Sequence, residues 1–190
     1  PQEAARIFSE KLPVLGDGDG GYAPGRPDAE GARLALQSLE LAVDLTVRGS
    51  AAALVTGPVA KAELGRIGFR HPGQTEFVAK ACGVDAEDAV MMLAGPHLRT
   101  VPMTVHCALA EVPGLLSIDL IVRRSRIVSE ALRRDFGIEN PRLALAGLNP
   151  HAGEGGRMGR EEIEIIVPAV EILREQGILA SGPHPADTLF

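Results

Sequence analysis

Short apolar runs alternate with amphipathic stretches along most of this 190-residue chain, and that alternation restricts it to a layered α/β fold. The strand-like runs are 51–56 (AAALVT), 89–94 (AVMMLA), 99–106 (RTVPMTVH) and 142–147 (RLALAG). Pro102 cannot donate to a ladder, so the third run is either weakened or held at a sheet edge. Before the first run, Asp28 is placed to cap a helix with Ala32, Leu36, Leu39, Val43 and Val47 on one face, ended by Gly49. A short helix is expected at 60–67, then a turn at 68–73. Thr75 is expected to cap a helix over 76–82, stopped by Gly83. Ser117 begins a long helix with Ile118, Ile121, Ser125, Val128 and Leu132 inward, ending at Gly137. The last helix, 161–176, should bury Ile163, Ile166, Val167, Val170 and Leu173, and Pro168 should kink it. There is no internal repeat. One boundary candidate lies near 49–51, which makes 1–50 a partial first lobe or connecting segment and 51–190 an α/β central lobe.

Bulk properties narrow the partners. Hydrophobic residues are 45% and charged residues 23% of the chain, the balance of a soluble globular protein. No apolar run approaches the roughly 20 residues that cross a bilayer. The net charge is -6 and aromatics are 3%, so neither a phosphate-tracking basic surface nor a base-stacking platform is expected. A small-molecule partner fits better than nucleic acid or membrane. Cys82 and Cys107 form no CxxC pair, which suits a reducing, cytoplasmic setting. Pro1 is not an initiator Met and 185–190 (PADTLF) completes no element, so the chain reads as an excerpt of a longer protein.

The chemistry concentrates where strands end, because open α/β sheets bind ligands beyond their carboxyl ends. His106 closes the run 99–106, and His151 follows the run 142–147. Neutral imidazole is a common ligand for a catalytic divalent metal, and a hydrogen-bonded loop histidine is the ordinary alternative for each. After His151, the glycines Gly153, Gly155 and Gly156 expose closely spaced backbone N–H groups before a helix, an arrangement suited to an anion. Their spacing matches neither a Walker loop nor GxGxxG. Gln74 and Thr75 open a helix and could donate hydrogen bonds to a polar or phosphorylated substrate; a plain cap is the alternative for Thr75. Lys61, in 56–61 (TGPVAK), could meet an anion or could simply be a surface lysine. Residues 17–21 (DGDGG) resemble the start of a calcium loop, but Gly21 and Tyr22 stand where Asp/Asn and Gly are needed. A Cys107–His106 pair is disfavoured, since neighbours on a strand face opposite ways. His71, His97 and His184 read as loop residues.

TGPVAK (56–61), PGQTEF (72–77), VMMLAG (90–95), the His106 run, GLNPHAGEGG (147–156) and PADTLF (185–190) occur in the order seen in one family. From about residue 54 to 190 the chain resembles the 4-hydroxythreonine-4-phosphate dehydrogenases of pyridoxal phosphate biosynthesis; before that the likeness is weaker. The resemblance implies an isocitrate/isopropylmalate dehydrogenase-like fold, layered α/β lobes around a cleft, in a homodimer. It also implies NAD or NADP, and a divalent metal (zinc, magnesium or cobalt) held by three histidines. His106 and His151 match the first two, and the third would lie beyond residue 190. Gln74 and Thr75 match the substrate-contacting His-Thr pair of the family. Glutamine can donate a hydrogen bond but carries no charge, so a phosphorylated sugar acid such as threonate or erythronate 4-phosphate is an alternative substrate. No general acid or base is assigned. A non-catalytic dimerising fragment and a metal-dependent hydrolase are the other classes in view.

Overall fold

A computed structural model describes residues 4–16, 20–21 and 23–189. Residues 17–19 of the calcium-like stretch 17–21, together with Tyr22 and Phe190, lie outside the described residues. The chain folds as two compact units, Pro1–Ala89 and Val90–Phe190, so the division lies away from the 49–51 candidate.

The first unit is helical. It contains α1 (Ala4–Ile7), α2 (Ala29–Val47), α3 (Lys61–Arg66) and α4 (Gln74–Ala81). Asp28 caps α2 as expected, its Oδ1 accepting from Gly31 N at 2.8 Å. Ala32, Leu39 and Val43 of α2 are buried, as are Leu64 of α3 and Ala79 of α4. Val47 is exposed, because the apolar face of α2 outlasts the elements that cover it. Two expectations fail here. Residues 51–56 form no strand, since a strand exists only by pairing and no neighbour pairs with it among the described residues. Thr75 caps nothing: α4 starts two residues earlier than expected, at Gln74, with Gly73 at its cap position and no side-chain cap bond.

The second unit carries the α/β signature. A hairpin of β1 (Leu93–Ala94) and β2 (Arg99–Thr100) leads through α5 (Val112–Leu115) to α6 (Ile118–Arg134). Then β3 (Arg142–Ala146), α7 (Val167–Glu175) and β4 (Leu179–His184) form a crossover unit in which β3 and β4 pair in parallel. The expected runs 89–94 and 99–106 shrink to two residues each, and the ladder stops just before Pro102. Ser117 Oγ accepts from Leu120 N at 3.1 Å and starts α6. Asp119 in its first turn and Arg133 and Arg134 in its last match the helix dipole. Ile121, Val122, Ile166, Val170, Leu173, Ile178 and Ala180 form the core between α6, α7 and the sheet. Fully buried aliphatic side chains such as Ile121, Val170 and Leu173 contribute about 1.5–3 kcal/mol each.

The helix expected at 161–176 is continuous but begins as a π-turn over Glu162–Ile166, where Val167 N donates five residues back to Glu162 O. The wide turn directly precedes Pro168, whose missing N–H would leave an α-turn incomplete. It shifts the helical phase. Ile163, expected inward, is exposed at 42%, and Glu162 is buried at 3%.

Candidate functional site

The carboxyl ends of β3 and β4 lie side by side because the two strands are parallel. Gly147 N extends their ladder by donating to His184 O at 2.8 Å. The loop after β3 and the segment after β4 are thereby brought together, the position at which α/β sheets build sites.

The loop after β3 has an unusual backbone. His151, Ala152, Gly153, Glu154 and Gly155 have φ of 51°, 51°, 78°, 44° and 67°, and Gly156 follows at 95°. These residues make a short left-handed turn. Glycine adopts this conformation freely, whereas His151, Ala152 and Glu154 each cost roughly 1–2 kcal/mol there. Strain of this kind persists only where the surroundings enforce it.

Glu162 lies directly against this turn. Asn149 N donates to its Oε1 at 2.7 Å, and Asn149 Nδ2 donates to its Oε2 at 3.0 Å. Asn149 Nδ2 also reaches Glu161 Oε2 at 2.7 Å. A Cβ on Gly153 would stand 2.7 Å from Glu162 Oε2, and one on Gly147 would stand 3.2 Å from Oε1. Burial pushes the Glu162 carboxyl up. Hydrogen bonds from the Asn149 side chain and from the backbone of Asn149, Glu162 and Leu148 outweigh it and hold the group below the ordinary carboxylate range. The carboxylate against this loop is thus the protein's own, on the side of Gly147 and Gly153; Gly155 stays open, with nothing near its Cβ position.

His151 reaches from this turn to the segment after β4, its Nδ1 lying 3.1 Å from Asp187 Oδ2. Both side chains are about half exposed, 58% and 48%. A neutral imidazole that donates through Nδ1 keeps its Nε2 lone pair free, the arrangement found where a carboxylate orients a metal-ligating histidine. Asp187 was missed as a site residue in the sequence, although it sits in the PADTLF motif; only the parallel pairing of β3 with β4 reveals its partner.

His106 is placed differently from expectation. It lies in a turn at φ 54°, exposed, and not at the end of a strand, because the ladder stops before Pro102. The strand argument against pairing it with Cys107 therefore lapses. Its segment is tied to α6 by Arg124, whose Nη1 donates to Pro102 O at 3.2 Å and Met103 O at 2.9 Å. His106 and His151 suit a divalent metal in ligand type, and His151 suits one in orientation as well. Among the described residues no three His, Cys, Asp or Glu side chains gather into a complete metal site.

In the first unit, Gln74 is the first residue of α4. Its Oε1 accepts from Thr56 Oγ1 at 3.0 Å and its Nε2 donates to Gly57 O at 3.4 Å, which fixes the amide against the 56–57 segment. Thr75 is exposed in the first turn of α4. Lys61 begins α3 and, with Val59, His71, Gly73 and Gln74, borders a small cavity of about 140 Å³. His71 packs against Phe69 and Phe77, with ring centroids 5.3 and 5.4 Å away.

A family model described as pyridoxal phosphate biosynthetic protein PdxA matches residues 1–190. A 4-hydroxythreonine-4-phosphate dehydrogenase of Erythrobacter litoralis is 62% identical over 188 residues, covering 99% of this chain and 56% of that protein. Among solved structures, a 4-hydroxythreonine-4-phosphate dehydrogenase from Klebsiella pneumoniae matches with TM-score 0.80 and 36% identity, over 90% of this chain and 50% of that one. A terephthalate 1,2-cis-dihydrodiol dehydrogenase from Burkholderia xenovorans matches with TM-score 0.61 and 33% identity, over 88% of this chain and 53% of that one. The chain spans a little over half the length of the curated relatives it matches.

Proposed function

The chain belongs to the pyridoxal phosphate biosynthetic protein PdxA family, and on that premise we propose that the whole protein is an NAD(P)-linked dehydrogenase of 4-phosphohydroxy-L-threonine. In this reaction the carbon bearing the hydroxyl gives a hydride to the nicotinamide, and the hydroxyl gives up a proton. The resulting β-keto acid loses carbon dioxide to leave 3-amino-2-oxopropyl phosphate. The observation that carries the reading in this chain is the His151–Asp187 pair at the joined ends of two parallel strands.

His151 and His106 would hold a divalent metal, which when bound supplies Lewis acidity to the substrate hydroxyl. The chain's own work is to orient the His151 imidazole through Asp187 and to keep its Nε2 outward. Gln74 and Thr75 offer hydrogen bonds to substrate, and Lys61 a cation for its phosphate. Gly155 and Gly156 remain the candidates for an external anion on the loop. The layered isocitrate/isopropylmalate dehydrogenase-like lobes, the homodimer and the choice of metal belong to the same proposal.

The full-length enzyme tests it. His151→Ala and His106→Ala should each remove most NAD(P) reduction and lower bound metal. Normal metal content and turnover in both variants would overturn the assignment. A second reading, oxidation of threonate or erythronate 4-phosphate, is favoured by the uncharged Gln74. A higher kcat/KM on the sugar acid than on the hydroxy-amino acid would support it, and the reverse order would overturn it. The dihydrodiol dehydrogenase relative makes the comparison worthwhile, since a similar fold there carries a different named substrate.

A further inference from the structure

We propose that Glu162 is a positioning residue for His151, the buried post around which the left-handed turn is wound. The inference rests on the reading of His151 as a metal ligand. Glu162 is buried and both its carboxylate oxygens are held by Asn149, so it is not placed as a ligand. It acts through the backbone. Its carboxylate takes the N–H of Asn149, two residues before the histidine, and abuts the Cα hydrogens of Gly153, two residues after it. The histidine is therefore clamped from both sides by one side chain.

Three independent features converge on the clamp. The π-turn at Glu162–Ile166 turns Glu162 inward where a regular helix would bury Ile163. Gly147 and Gly153 lack the Cβ atoms that would collide with the carboxylate or with Ala152. Asn149 supplies both a backbone and a side-chain donor, so both carboxylate oxygens are held. A carboxylate buried only for stability needs hydrogen bonds. It does not need a loop of strained residues wound over it, and that loop carries one candidate ligand at its start.

The test uses the full-length enzyme and zinc or cobalt as the probe. Glu162→Gln is nearly isosteric, but it sets an amide N–H2 against Asn149 Nδ2. Its metal dissociation constant should rise about 10- to 100-fold, the usual effect of losing an outer partner of a metal ligand. Amide hydrogen exchange should quicken within 147–156 and stay unchanged in α6 and α7. The cobalt absorption spectrum should shift as the imidazole loses its fixed direction. Asn149 Nδ2 serves both Glu161 and Glu162, so adding Asn149→Asp together with Glu161→Gln to Glu162→Gln reverses both donor–acceptor pairs and should recover part of the affinity. Unchanged metal affinity in Glu162→Gln beside lost metal in His151→Ala overturns the proposal alone. Retained metal in His151→Ala overturns the ligand reading and the proposal with it. Exchange quickened throughout the second unit shows a merely structural role and also overturns it.

Discussion

Replacing Gly153 by alanine adds one carbon atom, and its surroundings can be read off directly. The new Cβ would lie 2.7 Å from Glu162 Oε2 and 3.2 Å from Gly159 O, at a φ of 78°. The backbone conformation alone costs alanine about 1–2 kcal/mol. The contact adds more, because the carboxylate can retreat only by loosening its bonds from Asn149, and a hydrogen bond to a charged group contributes about 1.5–3 kcal/mol. The expected loss is therefore about 2.5–5 kcal/mol. Gly155→Ala is the control: it has φ 67° and no neighbour within 4 Å of its Cβ, so it should lose only the conformational part, about 1–2 kcal/mol. Urea unfolding of the full-length protein measures both, read as a shift in midpoint at constant slope for the transition that includes the second unit. Equal losses in the two variants would refute the claim that Glu162 sits rigidly beneath the turn.

Other perturbations separate the remaining parts. The folded-state pKa of Glu162 is depressed, so its stabilising effect is complete above the pKa of the unfolded chain and is lost as pH falls through the lower folded value. Glu162→Gln should accordingly flatten the acid limb of a stability–pH curve, and an unchanged limb would argue against an ionised Glu162. Arg124→Met removes both bonds to the 102–103 carbonyls; hydrogen exchange around His106 should quicken while the turn at 147–156 is unaffected. Ser117→Ala deletes the cap of α6 and should cost about 1 kcal/mol in thermal or urea unfolding, without changing metal affinity. Asp187→Asn keeps the size of the partner but not its charge. It should weaken metal binding about 10-fold or more, measured by competition with a chelator.

What could be read from the sequence divides along a physical line. Helices α2 and α6 were legible because their information is local: Asp28 and Ser117 are caps, and Ala32, Leu39, Val43, Ile121, Ser125, Val128 and Leu132 repeat at helical spacing and are buried. Strands were less so, because a strand is defined by a neighbour that the run itself does not name. The run 142–147 found β4 and paired, whereas 51–56 found no partner among the described residues and 99–106 kept only Arg99–Thr100 before Pro102. Likewise His151 is visible from its motif, but Asp187, 36 residues further along the chain, becomes its partner only through the pairing of β3 with β4.

The harder case is the helix that follows the loop. At 3.6 residues per turn, Ile163, Ile166, Val167, Val170 and Leu173 define one apolar face, and Glu162 falls outside it. The π-turn widens the first turn by a residue, so the face that continues into Ile166, Val170 and Leu173 begins at a glutamate. An amphipathic pattern ranks glutamate as the residue to expose, and that ranking holds unless hydrogen-bond donors are waiting inside. Here they are, supplied by Asn149 and by a turn whose glycines leave room for the carboxylate. The glycines in 147–156 first read as a place for a foreign anion, since closely spaced N–H groups suit one. The same physics admits an internal carboxylate, and Glu162 takes that place beside Gly147 and Gly153. Where a glycine-rich loop runs into a helix bearing an early acidic residue, the loop's first anion can come from the helix itself. A ligand on such a loop is then positioned by charge as well as by backbone.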